Sequence, residues 1–87
     1  MDLQQLIEFT ESSQIVTLSG MIESNCNSIE FINIGTDTVN VLGYPIQQGY
    51  SMVRPGNVGE INRTNYAATF ANAAGQTQKL LVIRKNY

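Results

Sequence analysis

Two short runs of sequence decide the fold class: Ser28-Ile29-Glu30-Phe31-Ile32-Asn33-Ile34 and Thr38-Val39-Asn40-Val41-Leu42, joined by Gly35-Thr36-Asp37. Both runs are rich in β-branched and aromatic residues, which pack well on a pleated, half-buried surface. In the second, Val39 and Val41 point one way and Thr38 and Asn40 the other, the period of a strand. The joining triplet holds a glycine able to take positive φ and an aspartate suited to turn hydrogen bonding. The local reading is a β-hairpin closed at Gly35-Thr36-Asp37.

The same punctuation continues toward the C-terminus. Gly43-Tyr44-Pro45 turns the chain, because Pro45 cannot donate to a ladder. Ile46 leads to a turn at Gln47-Gln48-Gly49, Tyr50 to Val53 reads as a short strand, and Arg54-Pro55-Gly56-Asn57 as a loop. Glu60 and Ile61 are read as the start of a further strand. Tyr66, Ala68 and Phe70 alternate with Ala67, Thr69 and Ala71, a strand with small residues on one face that lets another layer come close. Ala71 to Gly75 is a loop or a single helical turn. Thr77 to Lys85 is the last strand, with Leu80 and Val82 on one face and Leu81 and Ile83 on the other. A strand apolar on both faces is either central in the fold or covered from outside.

Toward the N-terminus, Gln14 to Glu23 reads as one strand, with Val16, Leu18 and Ile22 sharing a face and Gly20 marking a bulge or bend. Leu3, Leu6 and Ile7 fit a helical stripe, whereas Ile7 and Phe9 fit a strand, so residues 1–12 are open among helix, strand and an extended assembly arm. The expected architecture is all-β: residues 1–87 form a single small antiparallel β-sandwich of about seven short strands, with a jelly-roll arrangement among those open to it.

Size and composition bound what such a domain can do. A chain of 87 residues buries roughly 60–65% of its unfolded surface, enough for one thin two-layer core with little room for an interior pocket. Charged residues make up only 14% of the chain, and Asn, Thr, Ser, Gln and Gly fill the polar positions. Such a neutral surface repels itself weakly and can be covered without stranding charges, although an ordinary β-rich surface has the same composition. Residues 1–53 carry Asp2, Glu8, Glu11, Glu23, Glu30 and Asp37 and no basic residue. Residues 54–87 carry Arg54, Arg63, Lys79, Arg84 and Lys85 against Glu60 alone. The plainer reading of this split is cross-strand pairing within one fold; the other is complementary faces between neighbouring subunits. The net charge of −2 implies no general affinity for polyanions. Cys26, the single cysteine, lies in an apparent turn, Asn25-Cys26-Asn27, and a free thiol fits a reducing cytoplasm. The first residues lack the basic and apolar regions of a secretory leader, and no run approaches the ~18 apolar residues of a membrane-spanning segment.

Chemistry is sparse. Without histidine, the usual Ser-His-Asp and Cys-His activation of a nucleophile is absent, as are most zinc ligand sets. Cys26 has no obvious base or nearby cation in sequence and reads as an inert or buried thiol. Glu8 with Glu11 and Glu23 with Glu30 are the nearest carboxylate pairs, but a domain this thin builds no deep cleft around a sugar ring. Asp37 alone makes no calcium site. Gly56-Asn57-Val58-Gly59 lacks the Gly-Lys-Ser/Thr continuation of a phosphate loop and reads as a turn. Asn62-Arg63-Thr64 matches a glycosylation triplet with no secretory signal to support it. Arg54, Arg63 and Tyr66, or Arg84, Lys85 and Tyr87, are small basic-aromatic groups. With five basic residues in all, nucleic-acid binding is not expected. The terminal Arg84-Lys85-Asn86-Tyr87 has the composition of an interface anchor, with a solvated tail as the plain alternative. No enzymatic activity, cofactor or metal is expected.

From Phe31 onward the chain shows an ordered series. It runs Asn33-Ile34-Gly35-Thr36, Val39-Asn40-Val41-Leu42-Gly43, Ile46, Gly49-Tyr50-Ser51, Gly59-Glu60-Ile61-Asn62, Thr64-Asn65-Tyr66, Thr69-Phe70 and Lys79-Leu80-Leu81-Val82-Ile83-Arg84-Lys85. Over about the last two-thirds of the chain this resembles small β-sandwich virion proteins of bacteriophages of Bacteroidetes-type hosts. Its motifs are turn chemistry and strand alternation, and residues 1–27 take no part in it. The resemblance implies a protein made in the host cytoplasm and built into the virion as penton, minor capsid, head decoration or spike base. It would contact itself as a homo-oligomer and other virion proteins. The expected assembly contacts are Leu3, Leu6, Ile7 and Phe9 at one end and Leu81, Ile83, Arg84, Lys85 and Tyr87 at the other. Two rival readings stand beside it. One is a small ligand- or carbohydrate-binding module, with Tyr44, Tyr50 and Tyr66 stacking on sugars. The other is a phage protein binding a host enzyme by strand addition.

Overall fold

The structure, a computed structural model, describes residues 9–57 and 59–87. These residues form eight strands: β1 (Thr10–Val16), β2 (Gly20–Glu23), β3 (Ser28–Asn33), β4 (Val39–Val41), β5 (Tyr44–Ile46), β6 (Ser51–Arg54), β7 (Asn65–Phe70) and β8 (Leu80–Asn86). They lie in two four-stranded antiparallel sheets, ordered β1-β8-β3-β6 and β2-β7-β4-β5. The protein is an all-β sandwich, as composition and turn spacing suggest.

The pairing is nested. β4 pairs with β5, β3 with β6, β2 with β7 and β1 with β8. The chain is therefore one long hairpin, folded back at Leu42-Gly43 and rolled up so that β3 also meets β8 and β4 also meets β7. Eight strands in two sheets with this order are a jelly roll. The turn at its centre has both residues at positive φ, Leu42 at 51° and Gly43 at 82°, between the paired residues Val41 and Tyr44. That is the geometry of a two-residue type I′ turn, whose twist matches that of the strands it joins. Pro45 is tolerated in β5 because β5 is an edge strand.

The hairpin expected at Gly35-Thr36-Asp37 does not form. β3 and β4 lie in different sheets, and the triplet carries the chain across the sandwich. Long-range contacts hold this arch. The amides of Ile34 and Gly35 donate to the Lys79 carbonyl, and those of Thr36 and Asp37 to the Thr77 carbonyl. A Cβ at Gly35 would overlap the backbone of Thr77 and Lys79, so the glycine serves close approach rather than positive φ. The strand expected over Gln14 to Glu23 likewise divides: β1 ends at Val16, Thr17-Leu18-Ser19 crosses between sheets, and Leu18 is exposed rather than buried. Glu60 and Ile61 start no strand; their neighbour Asn62 forms an isolated bridge with Cys26. Thr10, Glu11 and Ser12 belong to β1, opposite Asn86, Lys85 and Arg84. Leu3, Leu6, Ile7, Glu8 and Val58 lie outside the described residues.

The core is a single layer between the sheets. β3 sends in Ile29 and Phe31, β4 Val39 and Val41, β7 Tyr66, Ala68 and Phe70, and β8 Leu80 and Val82, with Ile22, Cys26 and Ile46 completing it. The Phe31 and Tyr66 rings meet at 5.0 Å between centroids with a 58° tilt, a favoured aromatic arrangement. Two buried polar residues secure the arches. Asn33 Nδ2 donates to the carbonyls of Asp37 (2.8 Å) and Ile46 (2.9 Å), and its Oδ1 accepts from the Gly35 amide (3.0 Å). The Asp37 carboxylate accepts from the amides of Asn72 (2.8 Å) and Ala73 (3.3 Å), holding the β7–β8 loop.

Candidate functional site

Antiparallel register fixes which side chains share a face. On the sheet β1-β8-β3-β6, residues turned away from the core fall into rows. Ile15, Leu81 and Ile32 are direct neighbours in one row; Ile83 and Val53 lie in the next, separated by Glu30. Glu11, Lys85 and Ser28 form a third. Ile15 is 58% and Val53 49% exposed, whereas Leu81, Ile32 and Ile83 are half-buried by their flanking strands. β8 is thus apolar on both faces for two reasons: it is central in its sheet, and its outer face forms part of an apolar band. Glu11 and Lys85 stand opposite each other, one place where the acidic and basic halves meet across strands within the chain.

The terminal residues expected to make contacts separate into two groups. Phe9 and Tyr87 lie together with centroids 5.5 Å apart, and Lys85 Nζ sits 5.5 Å from the centre of the Phe9 ring. With Leu81 and Ile83 these residues are displayed on one sheet and at its end. Arg84 faces inward. Its Nε and Nη2 donate to the Glu23 carbonyl (3.0 and 2.7 Å) and its Nη1 to Gln14 Oε1 (3.0 Å), joining β8 to both β2 and β1. It clasps the two sheets, a role that strand parity assigns only once the register is known.

At the opposite edge, where β5 and β6 end their sheets, lies a cleft of about 420 Å³ lined by Tyr44, Ile46, Gln47, Tyr50, Ser51 and Arg54, with Pro45 and Met52. The Arg54 guanidinium carbon is 5.7 Å from the centre of the Tyr44 ring. Tyr44 and Tyr50 are 58% and 65% exposed. Tyr66, grouped with them as a sugar-stacking residue, is instead in the core with its hydroxyl accepting from Asn62 Nδ2 (2.8 Å). That burial also breaks the basic-aromatic set of Arg54, Arg63 and Tyr66, and Arg63 lines a separate shallow depression with Glu23, Asn25 and Asn65. Arg54 as the partner of Tyr44 was hidden in the sequence, because the two meet only across the gap between sheets.

The remaining chemical groups are structural. Cys26 is fully buried, its thiol donating to the Ser28 carbonyl at 3.2 Å, and burial pushes its pKa up while Arg84 pulls the other way. Glu23 and Glu30 sit on different sheets. Glu60 accepts from the Asn57 amide at 2.8 Å, bracing its own loop. A Cβ at Gly56 would strike the Asn27 carbonyl, so this glycine lets two loops pack closely. Among the described residues no group of three or more His, Cys, Asp or Glu side chains could hold a metal ion, and no helix is long and apolar enough to cross a membrane. Comparison of the chain with protein-family models, curated proteins and solved structures gives no match.

Proposed function

We propose that this chain is a structural subunit of a bacteriophage particle, working by docking to copies of itself and to other virion proteins rather than by catalysis. The observation that carries this reading is the outer face of the β1-β8-β3-β6 sheet, where Ile15, Leu81 and Ile32 lie side by side with Ile83 and Val53 alongside. A band of aliphatic side chains bordered by Glu11 and Lys85, with Glu30 set between Ile83 and Val53, matches the build of a docking surface that is mainly apolar with few charges. The edge of the same sheet supports it. β1 is seven residues long and among the described residues pairs only with β8, so within that set its far side is a sheet edge of backbone N–H and C=O groups. Its side chains are neutral apart from Glu11. Antiparallel pairing of two copies centred on Ser13 would set Glu11 against Ile15, with no like charges opposed. Jelly rolls serve as capsid subunits, but also as lectins and other binding proteins, so the particle itself rests on the resemblance and the docking mode on this face.

Light scattering on the eluting chain should give a closed oligomer, and mass spectrometry of purified particles should count it at a fixed copy number. A stable monomer missing from the particles would end the reading.

A further inference from the structure

We propose that the cleft between β5 and β6 binds an acidic carbohydrate, a sugar unit carrying a carboxylate. This is a second activity, at the opposite edge of the sandwich from β1. At about 420 Å³ the cleft falls within the range of small-ligand sites. Tyr44 and Tyr50 present more than half of their surface to water at its margin. Flat exposed rings beside polar groups suit the C–H face of a pyranose, which is apolar on one side and hydroxylated round its rim. Gln47 and Ser51 line the same cleft and supply a neutral amide and a hydroxyl for that rim.

Arg54 selects the class of sugar. Among the described residues it is the one charged side chain of the lining, and its guanidinium carbon lies 5.7 Å from the centre of the Tyr44 ring. A guanidinium beside an aromatic ring is partly ordered by cation–π attraction, and its forked N–H donors match a planar carboxylate. Arg84 uses its guanidinium internally on Glu23 and Gln14, whereas the Arg54 guanidinium makes no hydrogen bond among the described residues. A nucleic-acid strand would need more than one cation. A strand of another protein is disfavoured on the β5 side, where Pro45 interrupts the donors of an already three-residue edge.

The test is calorimetric titration of the full chain with a glucuronic-acid-containing trisaccharide and, separately, with its neutral glucose counterpart. A proline-rich and an acidic peptide complete the panel. The expected result is saturable binding of the acidic sugar at sub-millimolar to millimolar concentration and at least tenfold weaker binding of the neutral one. Arg54→Gln should remove that tenfold preference, and Tyr50→Ala should weaken both sugars. Thermal melts of each variant confirm that it is folded, and Tyr50→Phe, which keeps the ring, should retain binding. Equal binding of acidic and neutral sugars, no saturable binding of either, or preferential binding of a peptide would each overturn the proposal.

Discussion

Asn33 shows how one buried side chain can settle a local conformation. It sits at the end of β3, fully buried, with both halves of its amide engaged: two carbonyls on the donor side and the Gly35 amide on the acceptor side. It joins the β3–β4 arch to the end of β5, a task no aliphatic residue of its size could do. Asn33→Leu should therefore remove three buried hydrogen bonds, of whose backbone partners the Gly35 amide keeps the Lys79 carbonyl, and lower stability by about 3 kcal/mol, measured by urea unfolding. Cys26 makes the opposite case, a polar atom silenced by its surroundings. Because burial raises its folded-state pKa above the ordinary value of 9.0, the unfolded chain loses the thiol proton first as pH rises. The contribution of this group is intact at neutral pH and falls as pH climbs past that value. A disulfide-exchange reagent at pH 8 should modify Cys26 no faster than the chain unfolds, and unfolding in urea should release the reaction.

At the scale of the element, the centre of the roll is a turn with an unfavourable residue in a favourable shape. Leu42 occupies the left-handed region at φ 51°, which costs a residue with a branched side chain about 1 kcal/mol or more. Leu42 is 42% exposed, and its side chain is outside the core cluster. Leu42→Asn, giving the Asn-Gly pair that type I′ turns prefer, should raise stability by about 1 kcal/mol in thermal or urea unfolding. A neutral or destabilising result would mean that the Leu42 side chain is packed against something else, such as a neighbouring subunit.

For the whole molecule, nested pairing orders the folding problem. β4 and β5 close over two residues, whereas β1 and β8 join the two ends of the chain. Loop-closure entropy therefore rises from the centre of the roll outward. Val39→Ala and Ile46→Ala, at the inner hairpin, should slow refolding, while Val16→Ala, in the last pair to form, should act mainly by speeding unfolding. Stopped-flow chevrons would separate the two. The proposed docking face belongs to this scale too, since it exists only when the four strands β1, β8, β3 and β6 lie side by side. Leu81→Lys and Ile15→Lys place cations on the outer face while leaving the core face untouched. Each should shift the oligomer to monomer in light scattering, with the melting temperature of the monomeric fold changed little.

Much of this protein is legible from residue order. The strand character of residues 28–33, 39–41, 65–70 and 80–86 follows from period-two alternation and β-branched content. The inward set Tyr66, Ala68 and Phe70, and the pair Leu80 and Val82, follow from the same alternation, because side-chain direction in a strand is a local property. The absence of histidine bounds the chemistry before any folding. Tertiary structure alone decided which strands are partners. Gly35-Thr36-Asp37 carries every local mark of a hairpin and is an arch. Leu42-Gly43 carries a weaker mark and is the hairpin. The reason is that a turn sequence specifies how sharply the chain reverses, whereas pairing depends on which partner satisfies the backbone amides. For the arch that partner is Thr77 and Lys79, about forty residues away. The same separation hid the cleft, for Tyr44 and Arg54 meet only because two edge strands of different sheets come to lie side by side.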